Sequence, residues 1–150
     1  KLSEGQSTFM VEMVETATIC HNATAQSLIL LDEVGRGTST FDGVSIAAAL
    51  SEYLLTQIKA RTFFATHYHE LTQLEQQYSQ IQNASMQIQD HEDDLIFTYK
   101  LQSGAAEKSY GVRVAKMAGL PNSIIDSAER WLEGFEKKKE SGDILQLSLF

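Results

Sequence analysis

An α/β fold built on a parallel sheet is predicted by three observations. Ser27-Leu-Ile-Leu-Leu-Asp-Glu33 is an apolar run ending on two adjacent carboxylates, and Thr62-Phe-Phe-Ala65 is a second apolar run ending at Thr66-His67. Between them, Ile46, Leu50, Tyr53, Leu54 and Ile58 recur at helical spacing, with Asp42 placed to cap the helix start. Strand, helix, strand implies a right-handed parallel crossover. Both strands are read as buried.

Composition sets the outer bounds. At 150 residues and 43% hydrophobic, the chain is long enough for a globular domain with its own core. It begins at Lys1 rather than at a methionine, inside what reads as a motif, so it is taken for a fragment or a processed piece. It has no apolar run of ~18 residues and no basic-then-apolar leader, so no membrane span or targeting segment is expected. Cys20 is the single cysteine. It excludes an internal disulfide, makes no metal-ligand cluster with the four scattered histidines, and fits a reducing cytosol. The net charge of -8 argues against a nucleic-acid surface in this part of the protein, because phosphate binding needs clustered Lys and Arg.

The other elements follow from periodicity and punctuation. Ser7 to about Cys20 has helical spacing (Phe9, Met10, Met13, Ala17, Cys20), with Ser7 or Thr8 as cap. A short helix is expected from Glu70 to Tyr78. Ala84 to Gln89 and Leu95 to Leu101 alternate apolar and polar around the acidic turn His91-Glu-Asp-Asp94, an antiparallel hairpin without the favoured Asn-Gly or Asp-Gly pair. Two helices, about Ser109 to Ala118 and Pro121 to about Glu136, are joined by Gly119-Leu120, where the glycine suits a helix C-terminus and the proline a helix start. In the second, Ile124, Ile125, Ala128, Trp131, Leu132 and Phe135 form a wide apolar face that must pack on something. Residues 137–145 read as a charged linker and 146–150 as a short apolar tail.

The chemistry concentrates where the first strand ends. Paired carboxylates after an apolar strand are the arrangement by which P-loop ATPases hold Mg²⁺ and polarise water. Asp32 would hold the metal through its water shell, and Glu33 would orient or deprotonate the water that attacks the γ-phosphate. Taken alone, the pair also fits a buried strand whose end carries solvated acids. Leu2-Ser-Glu-Gly-Gln-Ser-Thr8 sets Gly5, Ser7 and Thr8 before a helix, where free N–H groups favour an anion, although a plain capping turn has the same composition. The loop Gly35-Arg-Gly-Thr-Ser-Thr40 offers Gly35, Gly37, Thr38 and Ser39 for nucleotide contact, or is a polar turn. His67 ends the strand expected beside the carboxylates, from which an imidazole reaches a phosphate or the attacking water.

Three segments carry a resemblance that covers residues 1 to about 136. Ser7-Thr-Phe-Met-Val-Glu-Met13, Leu31-Asp-Glu-Val-Gly-Arg-Gly-Thr-Ser-Thr40 and Ala65-Thr-His-Tyr-His-Glu-Leu71 resemble the signature segment, the Walker B strand with its following loop, and the histidine switch of the MutS mismatch-repair ATPases. These belong with the ABC-type ATPases, and Leu2-Ser-Glu-Gly-Gln6 resembles their LSGGQ signature. The resemblance implies a P-loop NTPase parallel-sheet portion over residues 1–103, with the small hairpin, and a helix-turn-helix dimer-contact module over 104–136. It implies ATP and Mg²⁺ as cofactors, Glu33 and His67 as catalytic residues in cis with Asp32, and Ser7 contacting the γ-phosphate of a partner subunit. A homodimer through the ATPase domains, mismatched DNA bound by other domains and a MutL-type partner are implied with it. No G-x-x-x-x-G-K-[ST] occurs, so the P-loop lysine is missing and is expected upstream of Lys1. The fragment alone is expected to be inactive.

Between Gly104 and Glu140 there are seven basic and six acidic residues, too balanced for a DNA-reading face. A packing role fits better, and the resemblance implies that Trp131 and Phe135 make a dimer contact, with intradomain packing as the other reading. Gln146-Leu-Ser-Leu-Phe150 resembles the peptide by which bacterial repair proteins dock on the sliding clamp, with Gln146, Leu147, Leu149 and Phe150 as the contact residues. Two other functions stay open: a MutS paralogue acting in recombination, and a non-catalytic dimerisation and clamp-docking module.

Overall fold

In the computed structural model, which describes residues 7–92, 94–107 and 109–141, Ser7 caps the first helix. Its hydroxyl accepts from the Met10 N–H at 3.1 Å, and α1 runs Thr8–Asn22. Met13, Ile19 and Cys20 face the core, whereas Met10 and Ala17 point outward, contrary to the sequence reading. Thr16 takes an inward position instead. Its hydroxyl donates to the Glu12 carbonyl at 2.8 Å, so the buried polar group keeps a partner. Burial raises the pKa of the Cys20 thiol, which keeps it in the protonated, unreactive form.

The parallel pair is as expected: β1 (Leu28–Asp32) lies beside β2 (Arg61–Ala65) with Leu28 opposite Arg61 and Asp32 opposite Ala65. The connecting helix α2 spans Thr40–Tyr53 and widens into a π turn at Leu54–Ile58, ended by Lys59 with φ 61°. Its N-cap position is Ser39, not Asp42. Asp42 lies in the first turn, where a carboxylate suits the helix dipole, and accepts from the Ser39 hydroxyl at 2.7 Å. Val44, Ala47, Leu50 and Leu54 form the buried stripe, and Tyr53, assigned to that stripe from the sequence, turns outward and is 44% exposed.

Ile29, Leu31, Val34, Leu50 and Leu54 make the core of this first unit, which ends at Gln80. The strands alternate instead of being buried throughout. Leu28, Leu30 and Phe63 remain 62%, 69% and 65% exposed, because α1 and α2 pack on one face of the sheet. A 3₁₀ turn (His69–Gln73) and α3 (Leu74–Gln77) follow β2. Tyr78 then donates to Glu52 at 3.1 Å, and that bond raises the phenol pKa.

The second unit starts at Ile81. β3 (Ala84–His91) and β4 (Asp94–Ser103) pair antiparallel, and the pairing runs on to His91 opposite Asp94, beyond the expected strand ends. A bulge between Met86 and Ile88, with Tyr99 at φ 55°, breaks the alternation that sequence reading extended through Leu101. α4 (Gly111–Met117) and α5 (Asn122–Glu140) are joined through Gly119, whose φ of 93° ends α4. Pro121 occupies the N-cap position of α5. α5 continues to Glu140, past Glu136 where a linker was expected, with Lys137 reaching Glu133 at 3.0 Å and three lysines in a last turn whose dipole favours them.

Arg113 of α4 takes over the role of the missing turn signal. Its guanidinium pairs with Asp90 and donates to the carbonyls of His91 at 2.7 Å and Asp94 at 3.3 Å, so one fork holds both strands at the hairpin end. Replacing Arg113 by Ala is expected to destabilise the second unit by about 1 kcal/mol, since the pair is partly exposed, and to speed amide exchange in α4 and at the hairpin tip. Arg113→Lys, which has no fork, is expected to restore little of this in urea unfolding with hydrogen exchange.

Candidate functional site

Both parallel strands end on the same edge, and that edge gathers the titratable groups. Asp32, exposed, closes β1 opposite Ala65. The Glu33 N–H donates to the Ala65 carbonyl at 2.8 Å, which carries the pairing one residue past the strand. The chain then turns around buried Val34, with Glu33 at φ 53° and Gly35 at φ 95°. A left-handed conformation at a non-glycine residue costs roughly 1–3 kcal/mol and persists only where the surroundings enforce it.

That turn aims the Glu33 carboxylate at two partners. His67 Nε2 lies 2.6 Å from Oε1, and the Arg36 guanidinium bonds Oε2. The Glu33 side chain is 24% exposed, against 78% for Arg36 and 89% for His67. A largely covered carboxylate therefore faces groups that open to water.

The turn is enforced at Gly35. Its N–H donates to Glu12 Oε1 of α1 at 2.7 Å, and its carbonyl accepts from the Tyr68 hydroxyl at 2.8 Å. Burial, followed by the charges of Glu12, Glu70 and Glu33, raises the Tyr68 pKa, so the phenol stays a donor. Gly43, in the first turn of α2, packs directly on Gly35. A Cβ built on Gly35 would stand 2.6 Å from the Gly43 carbonyl oxygen, and one on Gly43 would stand 2.2 Å from the Gly35 carbonyl oxygen and 2.4 Å from the Tyr68 hydroxyl. Only glycine fits at either place.

The remaining sequence-predicted residues surround this centre in part. Gly37 abuts Phe9 of α1, where an added Cβ would lie 3.1 Å from the Phe9 Cβ, so the loop rests on the start of α1. Thr38 is half-buried, Ser39 is the N-cap residue of α2, Ser7 caps α1 and Thr8 is exposed at its first turn. Trp131 and Phe135 belong to the second unit, where their rings stack at 5.8 Å on the exposed side of α5. Gly5 and the clamp-type residues Gln146, Leu147, Leu149 and Phe150 lie outside the described residues. Among the described residues there is no group of three or more His, Cys, Asp or Glu able to hold a metal. No helix among them is long and apolar enough to cross a membrane.

Sequence reasoning did not single out Glu12, Arg36, Tyr68 or Gly43. Gly43 carried a signal, since a glycine inside a helix costs about 1 kcal/mol relative to alanine and needs a reason. Glu12 and Tyr68 had none, being 23 and 33 residues from Gly35.

A family model described as MutS domain V matches residues 1–136. The chain belongs to the MutS domain V family. It is 56% identical over 135 residues to a DNA mismatch repair protein MutS of Caldanaerobacter subterraneus subsp. tengcongensis, covering 90% of this chain and 16% of that protein. The same name belongs to a Thermodesulfovibrio yellowstonii protein 56% identical over 138 residues, covering 92% of this chain and 16% of that protein, and to one from Carboxydothermus hydrogenoformans, 52% identical over 153 residues, covering 99% and 18%. The chain thus spans about one sixth of the length of the curated relatives it matches. MutS domain V is here an α/β structure with a small parallel sheet, an antiparallel hairpin and helices.

Two glycines in this domain V separate ordinary helix propensity from steric constraint. Gly134 of α5 has nothing within 4 Å of a built Cβ, so Gly134→Ala is expected to stabilise by up to about 1 kcal/mol. Gly43→Ala is expected to act in the opposite direction, lowering the unfolding free energy by about 2 kcal/mol or more because backbone must move to admit the methyl group. Denaturant titration of the two variants reads the signs.

Proposed function

We propose that this MutS domain V supplies the hydrolytic half of an ATP site, and that the parent protein uses that site to change state on mispaired DNA. The observation that carries this reading is the Glu33 carboxylate held beside Asp32 at the end of a parallel strand, with His67 Nε2 2.6 Å away. The name DNA mismatch repair protein on relatives that match most of the chain supports the cellular role.

Asp32 fits Mg²⁺, being an exposed hard-oxygen donor at the strand end, and one carboxylate with waters and phosphate oxygens is a common way to hold that ion. When bound there, Mg²⁺ offsets charge on the β- and γ-phosphates. The protein's own part begins with Arg36 and His67. Both side chains are largely open to water where they meet Glu33, so a phosphate of higher charge competes with the carboxylate for them. As they turn to the phosphate, Glu33 is released to accept the proton of the attacking water, and the imidazole orients that water or the phosphate oxygen. Ser7 and Thr8 at the start of α1, together with Gly5 of the preceding sequence, receive the nucleotide of a second subunit, and Gly35, Gly37, Thr38 and Ser39 form the loop between the two sites.

The phosphate-binding loop itself belongs, in this reading, to chain beyond these residues. The uncovered face of β1 and β2, with Leu28, Leu30 and Phe63 exposed, supports this, since parallel sheets are normally covered on both faces. The P-loop NTPase fold is then completed by the covering segment. The exposed Trp131 and Phe135 pair on α5 supports the helix-turn-helix as a homodimer contact. MutL-type and sliding-clamp partners, the latter through Gln146, Leu147, Leu149 and Phe150, complete the proposal, as does a cytoplasmic site of action.

The decisive measurement is binding of the parent protein to mismatched and matched duplexes, with and without ATP. Mismatch preference that ATP converts into mobile release is expected, with Glu33→Gln slowing hydrolysis at least about 100-fold while nucleotide still binds. Equal binding to both duplexes would move the assignment to a recombination paralogue. The isolated chain, which has no P-loop sequence, is expected to show no Glu33-dependent ATP hydrolysis in a phosphate-release assay. Measurable Glu33-dependent turnover would overturn the division of the site.

A further inference from the structure

The Glu33 turn is gripped at one residue from two directions, by bonds that lie outside the pairing of the two strands. Gly35 is buried two residues beyond Glu33, and both of its backbone polar groups bond to side chains rather than to a neighbouring strand. The N–H goes to a carboxylate on α1, the helix that begins at Ser7. The carbonyl goes to a phenol one residue after His67. Tyr68 is fixed in turn by its own backbone: its N–H donates to Thr66 Oγ1 at 3.0 Å and its carbonyl accepts from Leu71 at 3.1 Å. Contact of Gly35 with Gly43 blocks the third direction.

We infer that Glu12 and Tyr68 are positioning residues for Glu33, forming a clamp on Gly35 through which movement of α1 and of the His67 segment sets the orientation of the hydrolytic carboxylate. The inference rests on the ATPase reading given above. Its content is that two motifs far apart in sequence act on the acid through one residue, whose two flanking peptide groups they hold. The Glu12 bond is charge-assisted at 2.7 Å, so a shift of α1 pulls on the Gly35 N–H. The Tyr68 ring spans from the backbone that follows His67 to the Gly35 carbonyl, so a change at the histidine arrives at the other side of the same residue. Tight packing gives such a turn few intermediate arrangements.

The test uses the parent protein in single-turnover ATP hydrolysis alongside nucleotide binding. Tyr68→Phe keeps the ring and removes the donor. Glu12→Ala removes the acceptor, whereas Glu12→Gln keeps an oxygen in reach of the Gly35 N–H. Tyr68→Phe and Glu12→Ala are expected to slow hydrolysis about ten-fold with ATP affinity held within about two-fold, and Glu12→Gln is expected to recover most of the rate. In a Glu33→Gln background, Tyr68→Phe is expected to cause no further slowing, because it acts through the acid already removed. Tyr68→Phe hydrolysing at the parent rate would overturn the clamp, and so would additive slowing in the Glu33→Gln background or affinity that falls in step with rate. If Glu33→Gln itself leaves hydrolysis unchanged, the ATPase assignment of Glu33 fails, which separates that failure from failure of the clamp.

Discussion

The close approach of Gly35 to Gly43 is the contact on which the geometry of the first unit depends. A side chain at either position would force the turn after β1 away from the start of α2, by atoms that belong to backbone and so cannot step aside. With the glycines in place, Val34 is buried beneath the turn, and Glu33 is left at φ 53° with its carboxylate directed across the sheet edge to His67. The strain of that residue is small against the loss of burying Val34 and of the two hydrogen bonds on Gly35, so it persists. The same contact brings Tyr68 within reach of Gly35. One steric allowance thus determines a strand end, a helix start and the facing segment together.

The sheet explains why the site is placed at an edge. Parallel strands joined through a helix send both C-terminal ends the same way, and groups that follow those ends converge without help from the rest of the chain. Here Asp32 ends β1, Glu33 follows it and His67 follows β2, so register brings the two segments together and the turn at Gly35 aims the acid at the imidazole. Burial on one face then divides the labour. Ile29 and Leu31 hold the strand to α1 and α2, while Leu28, Leu30 and Phe63 present an apolar surface that water alone would leave costly.

Much of this was legible from the residues, and the boundary follows physical range. The strands, the crossover helix and the meeting of Glu33 with His67 came from local periodicity and from a topology rule, both of which act over a few residues at a time. The cap of α2 was misread by three residues because Asp42 and Ser39 are both capping types and their bond joins them. The inward face of α1 was misread because Thr16 satisfies its hydroxyl within the helix and so enters the core like an apolar residue. The Gly35 clamp left no trace in pattern at all. Glu12 and Tyr68 are ordinary residues in their own segments, and their bonds to Gly35 exist only once tertiary contact has brought that residue between them. Arg113 is the same case in the second unit, where an arginine on a later helix replaces the turn residues that the hairpin lacks.

α5 carries the argument one step further. Of its residues Ile125 is the buried one, and its Trp131 and Phe135 rings stack on each other in the open. A helix of this length has local support from the Glu133 to Lys137 pair and from lysines at its C-terminal dipole, each contributing a few tenths of a kcal/mol. Such terms leave a lone helix marginal, and helical stability in proteins comes chiefly from packing an apolar face. The Trp131 and Phe135 face is therefore surface whose burial remains to be gained. Both units share this feature: the first leaves one side of its sheet uncovered and the second one side of its long helix. In the first unit Asp32, Arg36 and His67 lie at the water, whereas Val34, Gly35 and Ile29, on which their segments rest, lie within, so the strand end is held from below while its charged groups stay accessible.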